Sequence, residues 1–560
     1  MMSAAVVAAV VGLVPVAAQA ATPSAAGGGR AANATAPSAG NGAGAVKGAA
    51  EQKAAVEAAA EQSAKEALAA DTAAKAEARA EPRASAADPY FKVSKGAGPT
   101  SNAHAMAMAL GVVTDLPDGV IGYRVDWGDG AVETPHGLTK EDLFLKHTFR
   151  KAGSHTITVT ATDLFTKVTD TTTFDVVLSG SEFTPVVPTR LLDTRDGTGA
   201  PAAGAVAALG TTRVKVGGNG GIPEGVSAVA LNITATNAVA DGHVIAFASG
   251  TAQPSTSNVN FAAGQTVPTL AIVPVGADGY VELVNRSAGT LDLVADVTGY
   301  FSRTAANGYT SVKPARIADT REGRGTVAGQ VAGQSGFELQ VAGQGGLPAQ
   351  GVAAVALNVT VTDPQGSGHL TVSPSGQVSA TSNLNFVPGQ TVANAVIVPV
   401  GPDGKVTVRN GSWSGADVIV DVTGYYSADG RAAYMPTEPT RRYDDRAWGG
   451  SLAGQDYYRH YVPLFFESLD SVVMNVTVTN TQGSGHLSVA PDPNRSADYS
   501  SGKAVRPTPP DSSVLNWEKG ATVSNLVQAS LKDTDTIDVW NRSWSPTNLI
   551  IDVFGTYETS

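Results

Sequence analysis

Ala230-Leu231-Asn232-Ile233-Thr234-Ala235-Thr236 sets apolar side chains against polar ones with a period of two, which is how a strand with one buried face reads. The stretch returns as Ala356-Leu357-Asn358-Val359-Thr360-Val361-Thr362 and as Val473-Met474-Asn475-Val476-Thr477-Val478-Thr479. Around each copy the same signposts keep the same order. Arg190-Leu191-Leu192-Asp193-Thr194-Arg195 opens the first unit, Arg316-Ile317-Ala318-Asp319-Thr320-Arg321 the second, and Arg441-Arg442-Tyr443-Asp444-Asp445-Arg446 the third. Gly242-His243, Gly368-His369 and Gly485-His486 follow the strand. Asn258-Val259-Asn260-Phe261, Asn383-Leu384-Asn385-Phe386 and Val514-Leu515-Asn516-Trp517 come next. The units close on Asp296-Val297-Thr298-Gly299-Tyr300-Phe301, Asp421-Val422-Thr423-Gly424-Tyr425-Tyr426 and Asp552-Val553-Phe554-Gly555-Thr556-Tyr557. The opening arginines stand roughly 125 residues apart, enough chain for each unit to bury its own core. Short strands, Gly-rich turns and no helical period predict an all-β chain with three tandem β-sandwich or jelly-roll-like repeats over 181–303, 304–428 and 429–560. Linkers of about a dozen residues predict close packing, a pseudo-threefold axis being one arrangement.

The chain has 560 residues, a formal charge of −12 and 16% charged side chains, which excludes the clustered basic face of a nucleic-acid binder. It has no cysteine, which excludes thiol catalysis, thiolate metal sites and disulfides. Residues Ala4 to Ala20 are small or apolar and end in Ala18-Gln19-Ala20, so 1–20 is expected to be a secretory signal peptide, although no Lys or Arg precedes the run. The run is short for a membrane anchor and holds Gly12 and Pro15; no membrane span is expected once it is removed. Residues 21–86 are expected to be an Ala/Gly-rich linker and spacer, Gly- and Pro-rich at first and then rich in Ala, Glu and Lys with high helix propensity. Val56 and Leu68 are too few to make a seam, so the second part is expected to be a solvated helix or a disordered spacer holding the folded part at a distance.

Over 87–180 strands return, among them the alternating His155-Thr156-Ile157-Thr158-Val159-Thr160-Ala161-Thr162. Trp127-Gly128-Asp129-Gly130, then His147-Thr148-Phe149, Gly153 and a Thr-rich strand ending at Asp163, resemble the polycystic kidney disease (PKD) repeat. That resemblance implies an immunoglobulin-like β-sandwich used in exported proteins as a spacer or as a module contacting protein or glycan. Asp126, Asp129 and Asp163 are calcium candidates, weighed against turn and cap carboxylates; no other cofactor is expected.

The three long units resemble a repeat of exported proteins from high-GC Gram-positive bacteria, with its Arg-Leu-Leu-Asp-Thr-Arg opening and Asp-Val-Thr-Gly-Tyr-Phe closing. The resemblance implies export and modularity and no particular chemistry. Arg190, Asp193 and Arg195, with Arg316, Asp319, Arg321 and Arg441, Asp444, Arg446, could clamp a ligand carboxylate. Recurrence in every copy favours structural pairs that lock the opening strand to Asp296, Asp421 and Asp552. His243, His369 and His486 would be metal ligands only if the units met on an axis; no metal site is expected. Asn232, Asn358, Asn475, Asn285 and Asn541 sit in glycosylation-like triplets that read more simply as strand faces and turns. No HExxH, phosphate-binding loop or nucleophile elbow occurs, and no catalytic residue is assigned.

The third unit holds four of the six tryptophans, and an insertion follows its Pro491. Trp517 stands where Phe261 and Phe386 stand and reads as core. Trp448, Tyr457, Tyr458, Trp540 and Trp544 have no evident counterpart and are the candidates for binding. The reading is an exported, non-enzymatic binding or display protein contacting glycan or protein at the cell envelope or in the matrix. A secreted hydrolase with a site between repeats, or a structural scaffold, is the alternative. The sequence leaves the oligomeric state open.

Overall fold

The computed structural model describes residues 42–80, 89–100, 102–377, 379–462 and 468–560. The expected signal peptide, the linker up to residue 41 and residues 81–86 lie outside the described residues. A long helix, α1 (Gly42–Ala80), comes first. The strands β1 (Phe91–Pro99), β2 (Ala105–Thr114), β3 (Val120–Asp126), β4 (Val132–Glu133), β5 (His136–Leu138), β6 (Leu143–Thr148), β7 (Ser154–Asp163) and β8 (Thr169–Val177) follow. They form two antiparallel sheets, β1-β2-β6 and β4-β3-β7-β8, with β5 added to β3. Between the sheets lie Trp127, Phe149, Met108 and Ile157, all fully buried. Trp127 stacks on His147 at 4.4 Å and its indole N–H donates to Glu133 at 3.0 Å.

The spacer reading needs correction. The helix forms where the Ala, Glu and Lys composition predicts it, but it is not held in solvent. Ala60, Ala64 and Leu68 are buried against Ala107 and Ala109 of β2. The backbones come so close that a Cβ on Gly96 would lie 2.1 Å from the Ala64 carbonyl oxygen, and one on Gly98 3.0 Å from Ser63 Oγ. Small residues on both sides take the place of an apolar stripe, because shape rather than side-chain bulk makes this contact. Asp71 Oδ2 accepts from the Lys95 amide at 2.9 Å and the Tyr90 hydroxyl donates to the Lys75 carbonyl at 2.8 Å, fixing the helix along its length.

The first repeat runs through β9 (Glu182–Asp193), β10 (Thr211–Lys215), β11 (Ala228–Thr236), β12 (Gly242–Ala248), β13 (Val259–Phe261), β14 (Val267–Pro274), β15 (Tyr280–Asn285) and β16 (Asp292–Ser302). The second has β17 (Gly308–Asp319), β18 (Gly336–Gln340), β19 (Val352–Thr362), β20 (Gly368–Pro374), β21 (Leu384–Phe386), β22 (Val392–Pro399), β23 (Lys405–Asn410) and β24 (Asp417–Ser427). The third has β25 (Ala433–Asp444), β26 (Tyr457–Tyr461), β27 (Leu469–Thr479), β28 (Gly485–Pro491), β29 (Leu515–Trp517), β30 (Val523–Ser530), β31 (Thr536–Asn541) and β32 (Asn548–Glu558). Each repeat folds as an inner sheet, β14-β11-β16-β9 in the first, and an outer sheet, β10-β15-β12-β13, and the same two orders recur in the other two. Numbered within a repeat, the orders are first-eighth-third-sixth and second-seventh-fourth-fifth, the strand order of a jelly roll. Each sandwich encloses its own core of Val, Leu and Ile, with Phe261, Phe386 and Trp517 at equivalent places.

The three inner sheets meet on a common axis. Six rings pack there, two from each repeat: Phe183 and Phe301, Tyr309 and Tyr426, Tyr434 and Tyr557. The closing glycine of each repeat makes room for them: a Cβ on Gly299 would lie 2.1 Å from the Phe183 ring, and one on Gly424 2.1 Å from the Tyr309 hydroxyl. The Tyr426 and Tyr557 hydroxyls lie 2.6 Å apart and Gln528 donates to both at 2.9 Å. Gln528 stands where the other repeats have Ile272 and Ile397, so the one polar side chain at that level accompanies the two hydroxyls that need it.

A second ring of contacts surrounds the axis. Asn232 Nδ2 donates to the Ser382 carbonyl at 2.7 Å, Asn358 to that of Ser513 at 2.6 Å and Asn475 to that of Ser257 at 2.7 Å, so first, second and third repeats are tied in a closed cycle. The triplets that resemble glycosylation sites are thus spent inside. Asn285 and Asn541 are fully buried and hold their own turns by donating to three carbonyls each.

The N-terminal sandwich sits where the closing strands end. The Ala103 amide donates to Glu558 Oε2 at 2.9 Å, Lys151 Nζ lies 3.4 Å from Glu182, and Ala103 and Ala152 pack on Ala433. Burial pushes the Glu558 carboxyl up to about 7 and the His104 imidazole down to about 4.

Candidate binding site

The recurring arginines turn donors to carboxylates of their own repeat, Arg190, Arg316 and Arg441 part-buried and Arg195, Arg321 and Arg446 with side chains more than two-fifths exposed. Arg190 Nε donates to Asp296 Oδ1 at 2.9 Å and its Nη1 to Asp193 at 3.0 Å, while Arg195 grips Asp193 at 2.6 Å and 2.8 Å. Arg316 meets Asp421 at 3.0 Å and Arg441 meets Asp552 at 2.9 Å, with Arg321 on Asp319 and Arg446 on Asp444. The pairs face each other across the first and last strands of the inner sheets. Hydrogen bonds from Arg195, Arg321 and Arg446 hold Asp193, Asp319 and Asp444 below the usual carboxylate range. Burial pushes Asp296 and Asp421 up in spite of their arginines. With their donors turned to these carboxylates, the forks present no open carboxylate clamp. Arg316 also donates to the Asp511 carbonyl at 2.9 Å, reaching the insertion of the third repeat.

His243, His369 and His486 stand beside Asn260, Asn385 and Asn516 in the outer sheets. Burial lowers all three, His486 to about 4. No three His, Asp or Glu side chains among the described residues are grouped to hold a metal ion. Asp126, Asp129 and Asp163 each accept from the amides of their own turns: Gly128 at 3.2 Å, Ala131 at 3.0 Å and Thr166 at 2.7 Å.

The five aromatic candidates do not make one site. Tyr457 and Tyr458 are neighbours on β26, and successive strand residues face opposite sides. Tyr458 turns inward and stacks on Tyr443 at 3.8 Å. Tyr457 turns outward and stacks on Trp540 at 4.3 Å. Trp540 is only 3% exposed and cannot meet a ligand. The chain after Pro491 covers that face: the short helix α2 (Ser496–Ser500) brings the Tyr499 ring under Arg459 at 3.5 Å, and the Tyr499 hydroxyl donates to Asp492 at 2.6 Å. The insertion therefore buries aromatic side chains that would otherwise be surface.

Trp448 and Trp544 do stand in solvent, 73% and 89% exposed. Trp448 ends a 3-10 turn (Asp445–Trp448), its ring 5.9 Å from that of Tyr443. Trp544 tops the turn between β31 and β32, and it has a counterpart after all. Trp413, 88% exposed, tops the same turn between β23 and β24. Ser412-Trp413-Ser414 matches Ser543-Trp544-Ser545, and both turns are fixed alike: Asn410 donates to the Ser414 carbonyl at 2.9 Å and Asn541 to that of Ser545 at 3.0 Å. The Ser-Trp-Ser triplet was legible in the sequence; aligning the turns as well as the strands would have found it.

Residues 92–176 match the family described as PKD domain. No curated protein matches the chain. Among solved structures, two come from studies of a turreted archaeal virus. One, titled as a triple jelly roll fold and turret assembly, is 10% identical over 68% of this chain and 90% of its own, with a TM-score of 0.14. The other, from Sulfolobus turreted icosahedral virus, is 9% identical over 68% and 92%, with a TM-score of 0.13. A tetra-tandem repeat from the extending region of a large adhesion protein is 12% identical over 83% and 99%, with a TM-score of 0.15. The jelly-roll assignment rests on the chain's own strand order.

Proposed function

We propose that this is a non-enzymatic binding or display protein of the cell exterior, and that its ligand at the surface is glycan. The observation that carries the reading is the set Trp413, Trp448 and Trp544. Each is a large ring more than seven-tenths exposed, and Trp413 and Trp544 top turns that buried asparagines hold rigid. An indole held in solvent on a fixed turn contributes nothing to the core and suits stacking on a sugar face, with little conformational entropy lost on binding. The PKD match over 92–176 supports a place outside the cell, and among the described residues no helix is long and apolar enough to cross a membrane.

The test is retention of the whole protein on insoluble cell-wall polysaccharide. The native protein is expected to be retained, and the triple variant Trp413→Ala, Trp448→Ala, Trp544→Ala to elute at least roughly tenfold more readily, as the loss of stacking anchors implies. A native protein that flows through, or a triple variant held as well as the native one, refutes the reading.

A further inference from the structure

The axis ends in a cavity. At the end of the inner sheets away from the N-terminal sandwich, the three repeats surround an open-mouthed cavity of about 420 Å³, within the ~300–1,000 Å³ usual for small-molecule sites. Equivalent positions of all three line it: Asn260, Asn385 and Asn516 as hydrogen-bonding groups, Val267, Val392 and Val523 as apolar wall. Beneath it the axis is filled by the buried Leu270 and Leu526, with Ala395 packed against them, so the cavity has a floor. It admits the end of a chain or a free small molecule, and no chain passes through it.

The asparagines are underused. Asn260 donates to Ser257 Oγ at 3.2 Å and Asn385 accepts from Ser382 Oγ at 3.2 Å. Asn516 Oδ1 is buried with no hydrogen-bond partner. Each side-chain amide can make up to four hydrogen bonds, so the asparagines of the lining keep capacity for ligand hydroxyls. Among the described residues of the lining Glu518 is the one charged side chain, beside Gln265 and Gln390. The cavity therefore offers both donors and acceptors, apolar patches between them, and no cation for an anionic ligand.

From this we infer that the axial cavity is a second binding site, separate from the exposed tryptophans, that takes a neutral pyranose: a free monosaccharide or the terminal residue of a sugar chain. Pyranose hydroxyls are both donors and acceptors and match amides, while the C–H faces match valine. A peptide terminus carries a carboxylate or an ammonium; the first finds no cation here and the second only Glu518.

Calorimetry on the whole protein tests this with methyl glucoside, methyl mannoside, methyl galactoside and N-acetylglucosamine. Trisaccharides ending in the same residues separate free sugar from chain end, and glucuronate and a short unblocked peptide serve as contrasts. At least one neutral pyranose, free or terminal, is expected to bind with one site per chain. The variant Asn260→Ala, Asn385→Ala, Asn516→Ala is expected to weaken it at least roughly tenfold. Val392→Phe, which fills the cavity and keeps the amides, should abolish binding, with the thermal melting of both variants checked against the native protein. The tryptophan triple variant should bind the pyranose unchanged, so this site and the surface reading fail independently. Binding of none of the neutral sugars, binding of the peptide alone, or binding that survives in both folded cavity variants overturns the inference.

Discussion

Asp538 shows how one insertion changes the meaning of a position. Its counterpart in the first repeat, Glu282, pairs with Arg213 at 3.0 Å on the outer sheet, and in the second repeat the place is taken by Thr407. In the third repeat the chain after Pro491 closes over the sheet, leaving Asp538 1% exposed with Oδ1 unpartnered and Asp492 close by. Burial, reinforced by the Asp492 charge, raises its carboxyl to about 8. A carboxyl raised in the fold contributes its full share below the unfolded value, near pH 4. That share is lost as pH rises through about 8. The third repeat should therefore weaken as pH climbs from about 4 to about 8 and change little beyond. Asp538→Asn keeps the shape and removes the charge. It should stabilise the protein at pH 9 by about 1–2 kcal/mol, allowing for solvent screening, and leave it nearly unchanged at pH 4. Urea denaturation of both proteins across that range measures it, and parallel pH profiles for the two would contradict the assignment.

Among the elements, α1 is the one whose place the sequence hid. Alternation made the strands readable, as in Leu231, Ile233 and Ala235 against Asn232, Thr234 and Thr236, because one face enters the sandwich core and the other a polar contact between repeats, although both are buried. The seat of α1 lacks that contrast: Ala60 and Ala64 meet Gly96, Gly98, Ala107 and Ala109, residues too small to form an apolar stripe. The contact is correspondingly sensitive to a single carbon. In Gly96→Ala the new Cβ would lie 2.1 Å from the Ala64 carbonyl oxygen and 2.2 Å from the Leu68 amide, both backbone atoms that cannot step aside. The variant should release α1 while the sandwich beneath it persists. Hydrogen exchange should then rise over 53–80 and stay low over β2 and β7. Leu68→Ala, deleting a side chain only 2% exposed, should loosen the same contact by about 2 kcal/mol. Unchanged exchange in α1 for Gly96→Ala would mean the helix is held elsewhere.

On the scale of the whole molecule, three sandwiches become one body through residues that the repeats share. The threefold spacing was plain in the sequence, and so were the arginine, asparagine and closing aspartate of each unit. Their contacts across repeats were not, because a strand's polar face reads the same toward water or toward a neighbour. Phe183, Tyr309 and Tyr434 each stand seven residues before the opening arginine, yet one ring per repeat conveys no axis until the three are brought together. The scatter of the aromatic candidates was hidden for a different reason: Trp540 is buried by chain inserted elsewhere in the sequence. The cycle around the axis carries one visible fault. Asn394 Nδ2 donates to Asn232 Oδ1 at 2.9 Å while its Oδ1 accepts from the Leu270 amide at 3.1 Å; Asn525 does the same with Asn358 and the Ala395 amide at 3.0 Å each. The third place holds Thr269, whose hydroxyl is buried without a partner, and Asn475 Oδ1, which it should have met, is likewise unpartnered. Thr269→Asn should close the cycle, the new amide donating to Asn475 and accepting from the Leu526 amide. Satisfying a buried orphan and adding a hydrogen bond is worth about 1–2 kcal/mol, so the midpoint of urea denaturation should rise. Asn394→Ala, which opens the cycle at an intact place, should lower it by a similar amount. A Thr269→Asn protein that is no more stable than the native one would show that the strands at that place stand too far apart for the amide to reach.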